Sequence, residues 1–202
     1  MTTDSLVLPS IPTSLRWGVL PVSWDIGDDG ALAITAGPRT DMFVNPAGTD
    51  VVLNAPRLVF APDGDFMLSA RVTVEFAATY DAGVLLLYAD DSSWAKLCFE
   101  YSPQRQPMIV SVVTQGFSDD ANAYVVTGSQ TFLRVSRLGR AFALHASEDG
   151  AYWQLIRNFT LEPSAQLVAG FVAQSPTGAG CTAMFADIVY TPARLADLRS
   201  GV

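Results

Sequence analysis

Polar turn signals recur along this chain every ten to fifteen residues, and that rhythm leaves room for little besides short strands. GDDG at 27–30, PDGD at 62–65, ADD at 89–91, SPQRQP at 102–107, EDG at 148–150 and SPTGAG at 175–180 are the punctuation. Between them lie runs of Val, Leu, Phe and Ala with a two-residue period, too short for helices and suited to strands. The expected strands cover 31–35, 50–53, 57–60, 66–77, 83–90, 93–102, 107–116, 122–127, 131–138, 141–148, 152–157, 166–175 and 181–190. Many short strands between regular turns define an all-β antiparallel sandwich or barrel. A short helix or loose tail is expected at 191–202, where Thr191 suits a cap, Pro192 the first turn, and Leu195 with Leu198 an apolar stripe. No shift in composition divides the chain, so a single domain is expected across 1–202, with 1–14 as an extension.

The segment from Asp81 to Tyr101 carries the strongest local pattern. It reads as two long strands joined by a polar turn, the first apolar on both faces. In the second, Trp94, Lys96, Cys98 and Glu100 share one face, because strand side chains switch sides at every residue. Lys96 and Glu100 lie about 13 Å apart on that face at roughly 3.3 Å per residue, too far for a direct ion pair. Each therefore needs a partner on a neighbouring strand, or water in a groove, since a charge mid-strand is costly alone.

Charge and hydropathy narrow the function classes. The chain has 12 Lys and Arg against 20 Asp and Glu, a formal charge of −8. Nucleic-acid binding, which rests on cations neutralising phosphates, is not expected. No run approaches a membrane span, and MTTDSLVLPSIPTSL lacks the basic start of a secretory signal, so a cytoplasmic location and no membrane partner are expected. Cys98 and Cys181 are expected as buried free thiols. With one His and two distant Cys, a structural zinc site lacks ligands.

Several motifs fall in order along these strands. They are Trp24, Thr40-Asp41-Met42-Phe43, Asp81-Ala82-Gly83-Val84-Leu85, and Asp90-Asp91-Ser92-Ser93-Trp94-Ala95-Lys96 with Glu100. Ser111-Val112-Val113-Thr114 with Gly116, Ser118 and Asp119 follows, then Arg134 with Arg137, Ser147-Glu148-Asp149-Gly150 with Trp153, and Ser175-Pro176 with Gly178 and Gly180. Over about residues 15–190 this resembles the DUF1349 family, relatives of a yeast protein named for regulation of enolase. The resemblance implies a concanavalin A-like lectin/glucanase sandwich of jelly-roll type. Phe43 stands where that family usually carries a Trp, and Asp120 where a Trp often follows Ser-Asp.

On that sandwich these residues lead to a first functional expectation, a binding protein that takes a carbohydrate or similar polyhydroxylated ligand on its concave sheet. Trp94 and Trp24 would stack on sugar rings at the rim, with Phe43 beside them. Lys96, Glu100, Asp41, Ser118 and Asp119 would meet hydroxyls, the last three from loop-like stretches that equally suit turns. Arg134 and His145 fall in adjacent strands of one hairpin, on one face with Ser136, and are counted with the site although a structural role suits both. Two alternatives stand: a regulatory domain that meets a protein partner, and a glycoside hydrolase. The glucanases of this fold resemble one another in carrying acids at i, i+2 and i+4, whereas Glu100 has Cys98 and Lys96 there, so the reading leans away from an enzyme. No cofactor is implied; calcium held by loop carboxylates stays open.

Overall fold

The structure, a computed structural model, describes residues 5–161 and 166–202, so residues 1–4 of the N-terminal extension lie outside the described residues. The first half of the chain forms β1 (Arg16–Val19), β2 (Ser23–Ile26), β3 (Leu32–Ala36), β4 (Met42–Val44), β5 (Val51–Leu53), β6 (Arg57–Phe60), β7 (Phe66–Val74) and β8 (Ala82–Asp90). The second half forms β9 (Ser93–Tyr101), β10 (Pro107–Gln115), β11 (Phe117–Val125), β12 (Gln130–Leu138), β13 (Ala141–Ser147), β14 (Gln154–Thr160), β15 (Val168–Gln174) and β16 (Cys181–Thr191).

These strands build two seven-stranded antiparallel sheets, ordered β1-β6-β15-β8-β9-β10-β11 and β14-β13-β12-β7-β16-β3-β2. The main core lies between them and includes Phe66, Phe99, Phe171 and Phe185. Strand β7 shows the expected alternation, with Leu68, Ala70 and Val72 buried and Arg71 and Thr73 facing out. At Gly170 the strands β15 and β6 come so close that a Cβ would stand 2.0 Å from the Leu58 carbonyl oxygen, and only glycine fits.

Three strands lie beyond the expected set, β1, β2 and β4, each of three or four residues and too short to show a period. Strand β11 starts at Phe117 and so takes in Ser118 and Asp119, which the sequence placed in a loop. The expected C-terminal helix does not form. Strand β16 runs on to Thr191, and the segment after it is an irregular tail with one turn, where Gly201 N donates to Asp197 O. Asp197 accepts from the backbone N–H groups of Arg199 and Ser200, a local alternative to helical bonding. The tail's carbonyls instead meet partners on β12 and β13, a tertiary contact that outweighs weak helical propensity.

A third, two-stranded element positions the site. The β4–β5 hairpin lies across the outer face of the first sheet, the side turned away from the main core. Met42, Val44 and Ala55 pack there onto Val84, Leu86, Trp94, Cys98, Val110 and Val172, forming a second apolar cluster. Ser118 pins the hairpin, since its hydroxyl accepts from Val44 N at 2.9 Å and bonds Thr114 Oγ1 at 2.8 Å.

Candidate functional site

The hairpin covers only part of that outer face, and the remainder is a cavity of about 450 Å³. Strand β9 supplies Lys96 and Glu100 to it, and β10 supplies Met108 and Val112. Strand β11 contributes Asp120 and Asn122, while β4 brings in Phe43 and the residue just before it, Asp41. Gln174 ends β15, and Tyr80 with Gln104 closes the rim.

The register explains the grouping. Val112 sits opposite Lys96 on one side and Asp120 on the other, so Lys96 and Asp120 share one face across three strands. Along β11, Ser118, Asp120 and Asn122 alternate onto that face. Asp119 points to the opposite side and pairs with Arg157 at 2.9 Å.

Lys96 is the chain's single lysine, and only 3% of its side chain is exposed. Its ammonium donates to Asp41 Oδ1 at 3.1 Å and to Gln174 Oε1 at 3.0 Å. Gln174 in turn donates its amide N–H to the Tyr80 carbonyl at 3.4 Å, which fixes which way the amide faces. Burial pulls the Lys96 ammonium down, but Asp41 beside it and Glu100 beyond leave it above its ordinary value. Asp41 is held by its own backbone: its carboxylate accepts from Met42 N at 2.7 Å.

Tyr80 is placed at the rim by a strained backbone, with φ 70° in the left-handed region. Buried Asp81 braces that loop by accepting from Ala77 N, Ala78 N and, at 2.6 Å, from Ser175 Oγ.

Glu100 has no ion-pair partner among the described residues. Burial pushes its carboxyl up to about 8; Lys96 opposes this, and Asp120 and Asp41 add to it. Asp120 is raised as well, first by burial, with Lys96 working the other way. At neutral pH Glu100 is therefore a neutral carboxylic acid, able to donate as well as accept.

Four residues singled out in the sequence, Asp41, Phe43, Lys96 and Glu100, converge on the cavity. Trp94 is corrected: it shares their face, but the hairpin seals it, leaving it fully buried. Its ring lies 6.0 Å from the Lys96 ammonium, beneath the cavity floor rather than at a rim. Ser118 holds the hairpin down, and Asp119 belongs to the far side of β11.

Trp24, Arg134 and His145 are carried by the other sheet. Trp24 is 43% exposed and lies against Trp17, their ring centroids 6.2 Å apart, where the edge strands β1 and β2 close the sandwich. Arg134 and His145 face each other across β12 and β13, as expected of that hairpin. The C-terminal tail covers both: the Arg134 guanidinium donates to the Gly201 carbonyl and stacks 3.6 Å over Trp153, and His145 Nε2–H donates to Leu198 O at 2.8 Å. Sequence reasoning missed Asp120, Asn122, Gln174, Tyr80 and Gln104. The alternation of β11 could have found the first two once that strand was extended back to Phe117. Nothing local marks Gln174.

A family model described as "Protein of unknown function (DUF1349)" matches residues 17–193, which takes in the whole cavity and the hairpin. The chain belongs to DUF1349. Among solved structures, this DUF1349 chain is similar to a functionally unknown protein from Saccharomyces cerevisiae, at 24% identity and TM-score 0.80, over 88% of this chain and 95% of that one. It is also similar to the GH43 protein BlXynB of Bacillus licheniformis, at 14% identity and TM-score 0.73. That match covers 89% of this chain but only 37% of the longer enzyme. The carbohydrate binding module CBM66 from Bacillus subtilis aligns over 86% of this chain and 94% of its own, at 11% identity and TM-score 0.52. At these identities the solved structures establish a shared β-sandwich fold. No curated protein matches the chain in sequence.

Proposed function

We propose that this DUF1349 protein binds a carbohydrate, or a similarly polyhydroxylated small molecule, in the cavity beside the β4–β5 hairpin. One observation carries the reading: a buried ammonium, locked by Asp41 and Gln174, forms the floor of an open cavity whose other walls mix rings, amides and carboxyls. Sugar hydroxyls both donate and accept. Asn122 and Gln104 can do both, Asp120 accepts, and Glu100 in its neutral form donates. Phe43 and Tyr80 give apolar surface for the C–H faces of a ring. A largely pre-formed hollow with few convergent polar groups is the usual form of a small-molecule site, and its volume suits a ligand of one or two rings. The fold shared with a carbohydrate binding module supports the same reading.

The test is calorimetric titration with a panel of mono- and disaccharides, neutral and charged. At least one should bind with a Kd of about 1 mM or tighter, and Tyr80→Ala should weaken it about tenfold, because that side chain lies on the rim outside either core. A panel without any binder, or one whose binding ignores Tyr80→Ala, would refute the reading.

One observation favours a second reading, glycoside hydrolysis. Glu100 is protonated at neutral pH, as a general acid must be, and Asp120 shares its cavity. Turnover of glycosides with poor leaving groups, lost in Glu100→Gln while activated aryl glycosides are spared more, is the expected result; wild-type protein that turns over neither kind excludes it.

A further inference from the structure

Three carboxyls and one amine line the cavity, and their pairing is lopsided. Asp41, Glu100 and Asp120 face a single cation, Lys96. That cation is already committed, to Asp41 at 3.1 Å and to the Gln174 amide oxygen at 3.0 Å. It forms no ion pair with the other two acids: at the usual strand rise and spacing the Glu100 backbone is about 13 Å further along β9 and that of Asp120 about 10 Å across the sheet. Among the described residues neither has an ion-pair partner. The cavity thus holds two carboxyls without an ion-pair partner, and one of them, Glu100, stays protonated at neutral pH for want of one. It also holds the amides of Asn122 and Gln104 and the ring of Tyr80.

We infer that the ligand is a polyhydroxylated molecule carrying a protonated amine, an amino sugar, whose ammonium is received by Glu100 and Asp120 while its hydroxyls meet the neighbouring amides. The inference rests on the carbohydrate reading and narrows it. A uronic acid would set its carboxylate beside Asp120 and the protonated Glu100, with Lys96 already committed to Asp41 and Gln174. A neutral sugar would leave the imbalance in place. A metal ion is a poorer match, because among the described residues no three His, Cys, Asp or Glu side chains gather closely enough to hold one.

The charge state of Glu100 provides a readout that simple packing would not. Its surroundings are Lys96 and Cys98 on its own strand, Asp120 on β11, Asp41 before β4 and Tyr80 at the rim. Of these, Lys96 is the cation, and it is shared with Asp41. An arriving ammonium favours the ionised carboxylate, so binding at pH 7 must expel close to one proton from a group that otherwise titrates near 8. Affinity for the cation then rises with pH through that range, while affinity for a neutral sugar does not rise with it.

The experiment pairs glucose, galactose and xylose with glucosamine, galactosamine and 6-amino-6-deoxyglucose, and adds glucuronic acid. Calorimetry is run in phosphate and in MOPS, whose different ionisation heats reveal proton release. At least one amino sugar should bind about tenfold or more tightly than its neutral counterpart and release nearly one proton at pH 7. Glu100→Gln, checked for folding by its thermal transition, should erase the proton release and most of the preference; Asp120→Asn should reduce the preference independently. Neutral sugars that bind as well as amino sugars would overturn this inference and leave carbohydrate binding standing. Preferential binding of glucuronic acid would overturn it too, and an absence of any sugar binding would sink both.

Discussion

Replacing Asp41 with Asn isolates the buried Lys96–Asp41 pair from everything else Asp41 does. The asparagine oxygen can still accept from Met42 N, as the carboxylate does at 2.7 Å, so the hairpin keeps its local bond. What disappears is the negative charge 3.1 Å from an ammonium that is 3% exposed. Removing one partner of a buried pair costs about 3–5 kcal/mol, mostly because the remaining charge stays desolvated. Asp41 is 21% exposed, so water softens the loss and the lower end applies, about 3 kcal/mol. For a chain of this size that is a fall in Tm of about 6–12 °C.

The pH dependence makes this prediction sharp. In the wild type the folded-state pKa of Lys96 lies above its ordinary 10.5, so its contribution is complete below 10.5 and disappears as pH rises through the folded value. In Asp41→Asn the strongest charge opposing burial is gone, Cys98 and Glu100 alone remain against it, and the folded value falls below the unfolded one. That variant must therefore gain stability as pH rises toward 10.5, a range over which the wild-type Lys96 contribution stays level. Urea unfolding at pH 7 and pH 10 measures the free energies. Because Lys96 is the only lysine, ¹³C-labelled lysine gives one side-chain resonance whose titration reports its pKa directly. Asp41→Asn with Lys96→Met should recover to within about 1 kcal/mol of the wild type, since a neutral pair of similar volume carries no desolvation cost. An Asp41→Asn protein that loses under 1 kcal/mol and follows the wild-type pH trend would refute the reasoning.

Three further outcomes are expected. Trp94→Ala should cost about 3–5 kcal/mol and free the β4–β5 hairpin, read as faster amide exchange at 42–53, because the indole is the largest side chain between hairpin and sheet; unchanged exchange there would contradict the packing. Gly170→Ala should abolish soluble folded protein, since its methyl would collide with the Leu58 carbonyl and β6 backbone, a loss of more than about 4 kcal/mol; a stable variant would show that β6 can shift. Burial holds His145 below its ordinary 6.5, with Arg134 adding to this and the Leu198 carbonyl opposing it, so the wild type should lose stability as pH falls below 6.5. His145→Gln should flatten that acid limb, and amide exchange in the tail should follow it.

How much of the site was legible depends on how far apart its parts lie in the chain. The grouping of Lys96 with Glu100 was readable because a strand's two-residue period is set by its own backbone. The pairing of β8 with β9 was readable because a polar turn of two residues, Asp91 and Ser92, joins them. Trp94 obeyed the same period and was still misplaced, because its exposure depends on a hairpin fifty residues earlier that folds over it. Arg134 and His145 were correctly set opposite each other, yet their sheet is not the one that carries the cavity.

Alternation, turn spacing and the ordered motifs thus determined a β-sandwich and the face of β9 that carries its charges, since both follow from contacts between near neighbours. Tertiary structure alone decided that Asp41, Asp120 and Gln174 would meet there, and that two acids would be left without a cation. The physical reason is that strand order within a sheet, and the hairpin laid across it, bring together segments whose sequences bear no local mark of each other.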